Sequence, residues 1–290
     1  MKKRLFPILI FISASLPLVR AGLFSFPLKP DSVRFAVVGD MGTGEKPQYQ
    51  VAQQMVNVRR TFPFEFVITL GDNIYGGSSS KDFEKKFEDP YKLLLDAGVK
   101  FYASLGNHDN PDERLYTFFN MDGSSYYTFT KGNVCFFALD SNHMDGNQIA
   151  WLEQQLQNTG NKDWKICFFH HPLYSTAKAH GSSIELRSLL ELIFIKYGVN
   201  AVFAGHDHVY ERIHPQGGIY YFTEGSSGEL RAGDLKRTAI EDSGFDADRT
   251  FMLIEIAGNE LYFETLSRVG NVIDSGTFPR AVRPSASKTD

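Results

Sequence analysis

Apolar runs of strand length recur along the chain, and five of them stop at a residue that binds metal or carries protons. Val33–Val38 ends at Gly39-Asp40-Met41-Gly42, and Phe66–Leu70 at Gly71-Asp72-Asn73-Ile74-Tyr75. Lys100–Leu105 ends at Gly106-Asn107-His108-Asp109, Ile166–Phe169 at His170-His171-Pro172, and Val199–Ala204 at Gly205-His206-Asp207-His208. Between these runs the apolar residues switch to helical spacing: Val51, Met55 and Val58, then Ile149, Leu152 and Leu156, then Leu186, Leu189, Leu190 and Ile193 within Ile184–Tyr197. Those stripes are core faces, and Gly198 stops the last of them. Strands alternating with helices predict βαβ units around a largely parallel sheet. In such sheets ligands bind beyond the carboxyl ends of the strands, which is where all five junctions fall.

The last third has another rhythm. Ile219–Thr223, Phe251–Ile256, Leu261–Thr265 and Val272–Ser275 are short β-type runs with turns such as Gly258-Asn259 and Gly270-Asn271 between them. They read as antiparallel strands completing a second sheet. Tyr126–Thr130 and Val134–Leu139 predict a hairpin across Lys131-Gly132-Asn133. Gly225–Arg249, rich in Gly, Asp and Arg, reads as a long surface loop, and Pro279–Asp290 as a mobile tail. Neither an internal repeat nor a linker divides residues 22–278, so one domain is expected.

The first 21 residues read as an export signal: Lys2, Lys3 and Arg4, then apolar Leu5–Leu18, then the small-residue pattern Val19-Arg20-Ala21. The apolar stretch, broken by Pro7 and Pro17, falls short of the roughly 20 residues a spanning helix needs, so no stable membrane anchor is expected. Cleavage after Ala21 removes four basic residues and no acidic one, taking the formal charge from −4 to −8. So acidic a protein is poorly suited to nucleic acid, whose binding rests on Lys and Arg at phosphates. Cys135 and Cys167 each lie in an apolar run and read as small buried hydrophobes, a bond between neighbouring strands being the alternative. The sequence holds no Asn-x-Ser/Thr acceptor, in keeping with a bacterial periplasmic or secreted origin.

The chemistry sits at the junctions. His206 and His208, two apart on a turn after an apolar strand, reach one cluster. Asp40 and Asp72 are carboxylates at two strand ends; Asp and Asn after Gly are routine turn residues, but turn capping does not predict two Gly-Asp junctions beside Gly-Asn-His-Asp and His-His-Pro. A carboxylate bridges two ions at the roughly 4 Å spacing of two-metal hydrolases, and Asp72 is the candidate bridge.

Taken in order, Asp-x-Gly, Gly-Asp-x-x-Tyr, Gly-Asn-His-Asp, the histidine after an apolar run and Gly-His-x-His resemble the calcineurin-like metallophosphoesterase superfamily. Tyr75 makes the chain similar to purple acid phosphatases of the small, tartrate-resistant type, over about Val33 to Glu211. The resemblance implies an α/β fold, a four-layer αββα sandwich with two mixed β-sheets. It implies Asp40, Tyr75 and His208 as ligands of Fe(III), and Asn107, His170 and His206 as ligands of a divalent ion (Fe, Zn or Mn), with Asp72 bridging. His108 then contacts the leaving-group oxygen, oriented by Asp109, and His180 contacts substrate. The implied reaction is hydrolysis of small phosphate monoesters by a metal-bound hydroxide. A phosphodiesterase or nucleotide pyrophosphatase on the same scaffold, a divalent-only enzyme and a non-catalytic binding protein of this fold are the alternatives.

The residue types agree with that picture. A phenolate is a hard anionic ligand suited to a trivalent ion. Two carboxylates and a phenolate against a ferric–divalent pair with a bridging hydroxide leave the site at about +1, which attracts a phosphate ester to an acidic protein. His171 reads as a group behind the site, and His143 and His214 as surface histidines. Where the mammalian-type enzymes carry a long regulatory loop, only Asn142–Asn147 stands here, which implies an open site whose specificity comes from Ser78–Ser80, His180–Ser183 and Gly225–Arg249.

Overall fold

The computed structural model describes residues 25–160 and 164–281. The expected export signal and most of the expected tail lie outside the described residues; Pro279 itself closes the last strand.

Two mixed sheets stack face to face. The first has the order β13-β12-β11-β1-β2-β3, built from β1 (Val33–Val38), β2 (Phe66–Leu70), β3 (Lys100–Ser104), β11 (Thr250–Ala257), β12 (Glu260–Ser267) and β13 (Val272–Pro279). The second has the order β10-β8-β9-β7-β6-β5-β4, from β4 (Tyr127–Lys131), β5 (Val134–Ala138), β6 (Trp164–Phe168), β7 (Ala201–Ala204), β8 (Tyr210–Gln216), β9 (Ile219–Glu224) and β10 (Glu241–Phe245). Each sheet contains a parallel block: β1, β2 and β3 at one end of the first, and β5, β6, β7 and β9 in the middle of the second. Helices α1 (Lys46–Val58) and α3 (Asp89–Asp96), with the one-turn α2 (Ser80–Phe83) between them in the chain, cover the first sheet, and α4 (Gly146–Asn158) and α5 (Ile184–Tyr197) cover the second.

This layering explains why the parallel strands are apolar throughout. In β1, Phe35 and Val37 face the other sheet, while Ala36 and Val38 face the helices, so both surfaces are dry. Between the sheets Phe35 packs on Phe66 and Phe136 at centroid distances of 5.2 Å, and each buried Phe contributes about 1.5–3 kcal/mol by leaving water.

The expected four-layer sandwich is therefore present. Three details differ from expectation. The C-terminal strands extend the first sheet, β11 antiparallel to β1, β12 to β11 and β13 to β12, and β9 lies parallel to β7 in the second. Gly225–Arg249 is not loop throughout: β10 lies inside it and pairs with β8, which the sequence pattern did not separate from the His206–His208 turn. Leu189 is 43% exposed, because α5 turns only Leu186, Leu190 and Phe194 inward. Cys135 and Cys167 are unpaired, Cys167 fully buried.

Candidate metal centre

All five junctions meet at one edge of the sandwich. Backbone bonds tie them: Asp40 N donates to Gly71 O at 3.1 Å, Gly42 N to Asp72 O at 3.2 Å, and Gly205 N to His170 O at 2.9 Å. Asp40, Asp72 and His206 hold left-handed backbone, with φ of 51°, 51° and 69°. For residues other than glycine this conformation costs about 1–3 kcal/mol and gathers at functional sites. The preceding glycines permit the crowding. A Cβ at Gly106 would lie 2.1 Å from Asp72 Oδ1, and one at Gly205 2.5 Å from Asp40 Oδ2.

One group of donors is anionic in type. Tyr75 Oη lies 3.2 Å from Asp40 Oδ1 and 3.3 Å from His208 Nε2, which is itself 3.3 Å from Asp40 Oδ1. Asp40 is fully buried, and burial followed by the neighbouring Asp72 raises its carboxyl well above the ordinary range. Burial, then Asp40 and Asp72, pushes the Tyr75 phenol far up as well. Tyr75 is fastened at both backbone ends: its N–H donates to Gly42 O at 2.9 Å, and Lys86 Nζ donates to its carbonyl at 2.5 Å. Lys86, on the π-helical turn Glu84–Glu88, also pairs with Asp82 at 2.6 Å.

The second group is neutral. His170 Nδ1 donates to the Leu70 carbonyl at 2.8 Å, which leaves Nε2 as a lone pair. That lone pair faces Asn107 Oδ1 at 2.9 Å, and His206 Nδ1 lies 3.0 Å and 3.1 Å from the same two atoms. Burial holds the His170 imidazolium well below its ordinary pKa, and burial with the neighbouring histidines lowers His206 to about 2. His170 Nε2 and Asn107 Oδ1 are thus two acceptors in contact, a pair that a proton on His206 Nδ1 or a cation seated against both relieves.

Asp72 stands between the groups. It lies within 4.8 Å of the Asp40 and His208 donors, while its Oδ1 is 3.5 Å from His170 Nε2 and accepts from His108 N at 2.9 Å. Its Oδ2 is buried with no hydrogen-bond partner. An orphaned buried acceptor costs about 1–3 kcal/mol, more when charged, and a bound cation removes that cost. The residues present fit two metal ions.

The remaining expected site residues also converge. His108 is exposed at the rim, its ring 5.1 Å from that of Tyr75, and the exposed His180 ring lies 4.3 Å from His206. Asp109 differs from expectation. Its carboxylate accepts four hydrogen bonds, from Asn73 N, Asn73 Nδ2, Ile74 N and Gly106 N, so it locks the second junction to the third and steers His108 only through their backbone. Burial, then Asp72, raises it to about 7. His171, expected behind the site, stands beside its donors: its ring lies 4.4 Å from that of His206 and one ring nitrogen falls within 4.8 Å of the His170 and His206 donor atoms, while Nδ1 is 2.9 Å from Ser141 Oγ. His143 and His214 are exposed beside Asp140 and Asp242.

The sequence pattern missed a sixth junction. After β9, Gly225-Ser226-Ser227-Gly228 runs against the metal centre: Ser227 N donates to Gly39 O, Glu229 N to Asp40 O and Arg231 N to His208 O. Four small residues closing a strand were the available signal, masked by the hydrophilic stretch that follows.

A two-sheet sandwich presenting two metal-donor groups at its parallel strand ends defines a class, the binuclear metallohydrolases. Residues 33–210 match the family model for calcineurin-like phosphoesterases, and the chain belongs to that family. "Purple acid phosphatase 4" of Arabidopsis thaliana is 30% identical over 272 residues, 80% of this chain and 79% of that protein. "Tartrate-resistant acid phosphatase type 5" of Mus musculus is 25% identical over 321 residues, 93% of this chain and 96% of the relative. Among solved structures, "GAP50 the anchor in the inner membrane complex of Plasmodium" superposes with a TM-score of 0.76 at 21% identity, over 86% of this chain and 89% of that one. The protein is a metal-dependent phosphoric ester hydrolase of the acid phosphatase type with a binuclear metal centre. No helix of the described residues is long and apolar enough to cross a membrane.

Proposed function

We propose that the chain is an exported acid phosphatase acting on small phosphate monoesters through two unlike cations. Fe(III) is held by Asp40, Tyr75 and His208, a divalent ion (Fe, Zn or Mn) by Asn107, His170 and His206, and Asp72 is shared. The observation that carries this reading is Asp72: a buried carboxylate with one orphaned oxygen, set between an anionic and a neutral donor group. Two bound cations supply Lewis-acid charge for the phosphoryl oxygens and a water acidic enough to act as nucleophile. The chain's own residues do the rest. His180, beside His206, donates a hydrogen bond to the phosphoryl group. His108, exposed at the rim and fixed by its backbone bond to Asp72, gives a ring proton to the departing alkoxide. Asp109 keeps the second and third junctions in register. The basic and apolar N-terminal segment supports export to the periplasm or beyond.

The test compares p-nitrophenyl phosphate with its bis ester on enzyme purified with its metals. The monoester is expected to be preferred, and His108→Ala to lower kcat by about 10²- to 10⁴-fold with both ions retained. Preference for the bis ester would make the enzyme a diesterase. Wild type and His108→Ala equally inactive across an ester panel would make it a binding protein.

A further inference from the structure

Outside the ligands themselves, the metal centre is poor in cations. The cleft of about 610 Å³ that opens beside Asn107 and His171 is lined by Asp109, Asp140, Asn142 and His143 among others, and by neither lysine nor arginine. On the opposite flank, next to the Asp40–Tyr75–His208 group, the segment after β9 carries Arg231. Its backbone N–H donates to the His208 carbonyl at 3.0 Å, and two residues earlier Glu229 N donates to Asp40 O at 3.0 Å. Gly228, whose added Cβ would meet Met41 O at 2.3 Å, lets this segment press against the first junction. The position of Arg231 is therefore fixed by the metal-centre backbone.

Its side chain is not similarly committed. The nearest carboxylate, Asp234, stands 4.0 Å away, and Nη1 makes no hydrogen bond among the described residues. The side chain as a whole is 37% exposed, while Nη1 itself is a buried donor without a hydrogen-bond acceptor. A guanidinium held beside a metal centre with donors to spare matches the planar, two-oxygen geometry of a phosphoryl group.

We infer that Arg231 is a substrate-binding residue whose guanidinium holds non-bridging phosphoryl oxygens of the ester, and of the phosphate product, on the Tyr75–His208 flank. This rests on the reading of the site as a phosphomonoesterase. Asp234 is a loose counter-ion that keeps the guanidinium in place between turnovers.

Isothermal titration of inorganic phosphate into the metal-loaded enzyme tests it, with metal content and melting temperature as controls. Arg231→Ala is expected to weaken phosphate binding about 10- to 100-fold, the worth of charge-assisted hydrogen bonds, with two ions per chain retained. Asp234→Asn is expected to bind phosphate at least as tightly as wild type. Unchanged affinity in Arg231→Ala would overturn the inference, as would Asp234→Asn matching the loss, which would make Arg231 only an ion-pair partner. Should Arg231→Ala lose its metals or its fold, Arg231→Lys decides: wild-type affinity contradicts a two-oxygen contact, and a several-fold loss supports it. Wild-type enzyme that binds metals but no phosphate would sink the phosphatase reading itself, and this inference with it.

Discussion

The two donor groups share an edge, a turn and the carboxylate of Asp72 between them, yet differ in kind. Asp40 and Tyr75 are acids driven toward the neutral form by burial and by neighbouring carboxylates, Asp72 for the first and Asp40 with Asp72 for the second. Asn107 and His170 are neutral acceptors pressed to 2.9 Å. The first group lacks positive charge; the second lacks only a Lewis acid. Two like ions would leave that asymmetry unused. The chain thus sets an anionic donor group beside a neutral one, and the proposed pairing of unlike cations rests on that asymmetry.

The strongest way to break the comparison is to remove what both groups share. Asp72→Ala is expected to bind less than one ion per chain by elemental analysis and to lose about 10³-fold or more in turnover. Next is a change confined to one side. Asn107→Ala should bring the metal content to about one ion per chain, with turnover down about 10²-fold, while the ion on the Tyr75 side stays; loss of both ions would show that the groups are not separable. A smaller effect is expected from Lys86→Met, which frees the Tyr75 carbonyl. Groups that orient metal ligands are worth about 10- to 100-fold in affinity, and only the first ion should feel it, in competition with a chelator. Arginine at position 86 should restore part of the loss.

The smallest effect separates acids that await a cation from an acid that does not. Glu224, at the end of β9, is fully buried among Thr250, Ser226 and Ser227, and burial raises its carboxyl to about 8 from 4.5. The folded state then keeps a proton that the unfolded chain releases between those values. Its contribution to stability is full below about 4.5 and is lost as pH rises through about 8. Glu224→Gln should therefore gain melting temperature relative to wild type at pH 8 and not at pH 4. An equal shift at both would mean the group is charged in the fold.

The junctions were legible because a parallel strand buried on both faces has no polar alternation, so the first polar residue after it stands out at the sheet's functional edge. Val33–Val38 followed by Asp40 is such a case, and Phe66–Leu70 followed by Asp72 another. What escaped did so for physical reasons. Thr250–Ala257 reads as a strand, but nothing local says whether it joins β1 or the other sheet; that depends on partners more than 200 residues away in sequence. Asp109 follows a histidine it does not touch, because its four donors come largely from residues 73 and 74. Glu241–Phe245 has no apolar alternation, since β10 is an edge strand held by β8, and so it read as loop. Arg231 looked like one more charge in a hydrophilic stretch until the fold brought its backbone to His208.

On the proposed reading the anionic group, through Tyr75, takes a trivalent iron while the neutral group takes a divalent ion. Metal analysis with a visible absorption spectrum of the natively loaded protein tests it most directly. Iron plus a second ion is expected in each chain, with a phenolate-to-ferric charge-transfer band that Tyr75→Phe abolishes. A colourless, iron-free protein with full phosphatase activity would contradict it.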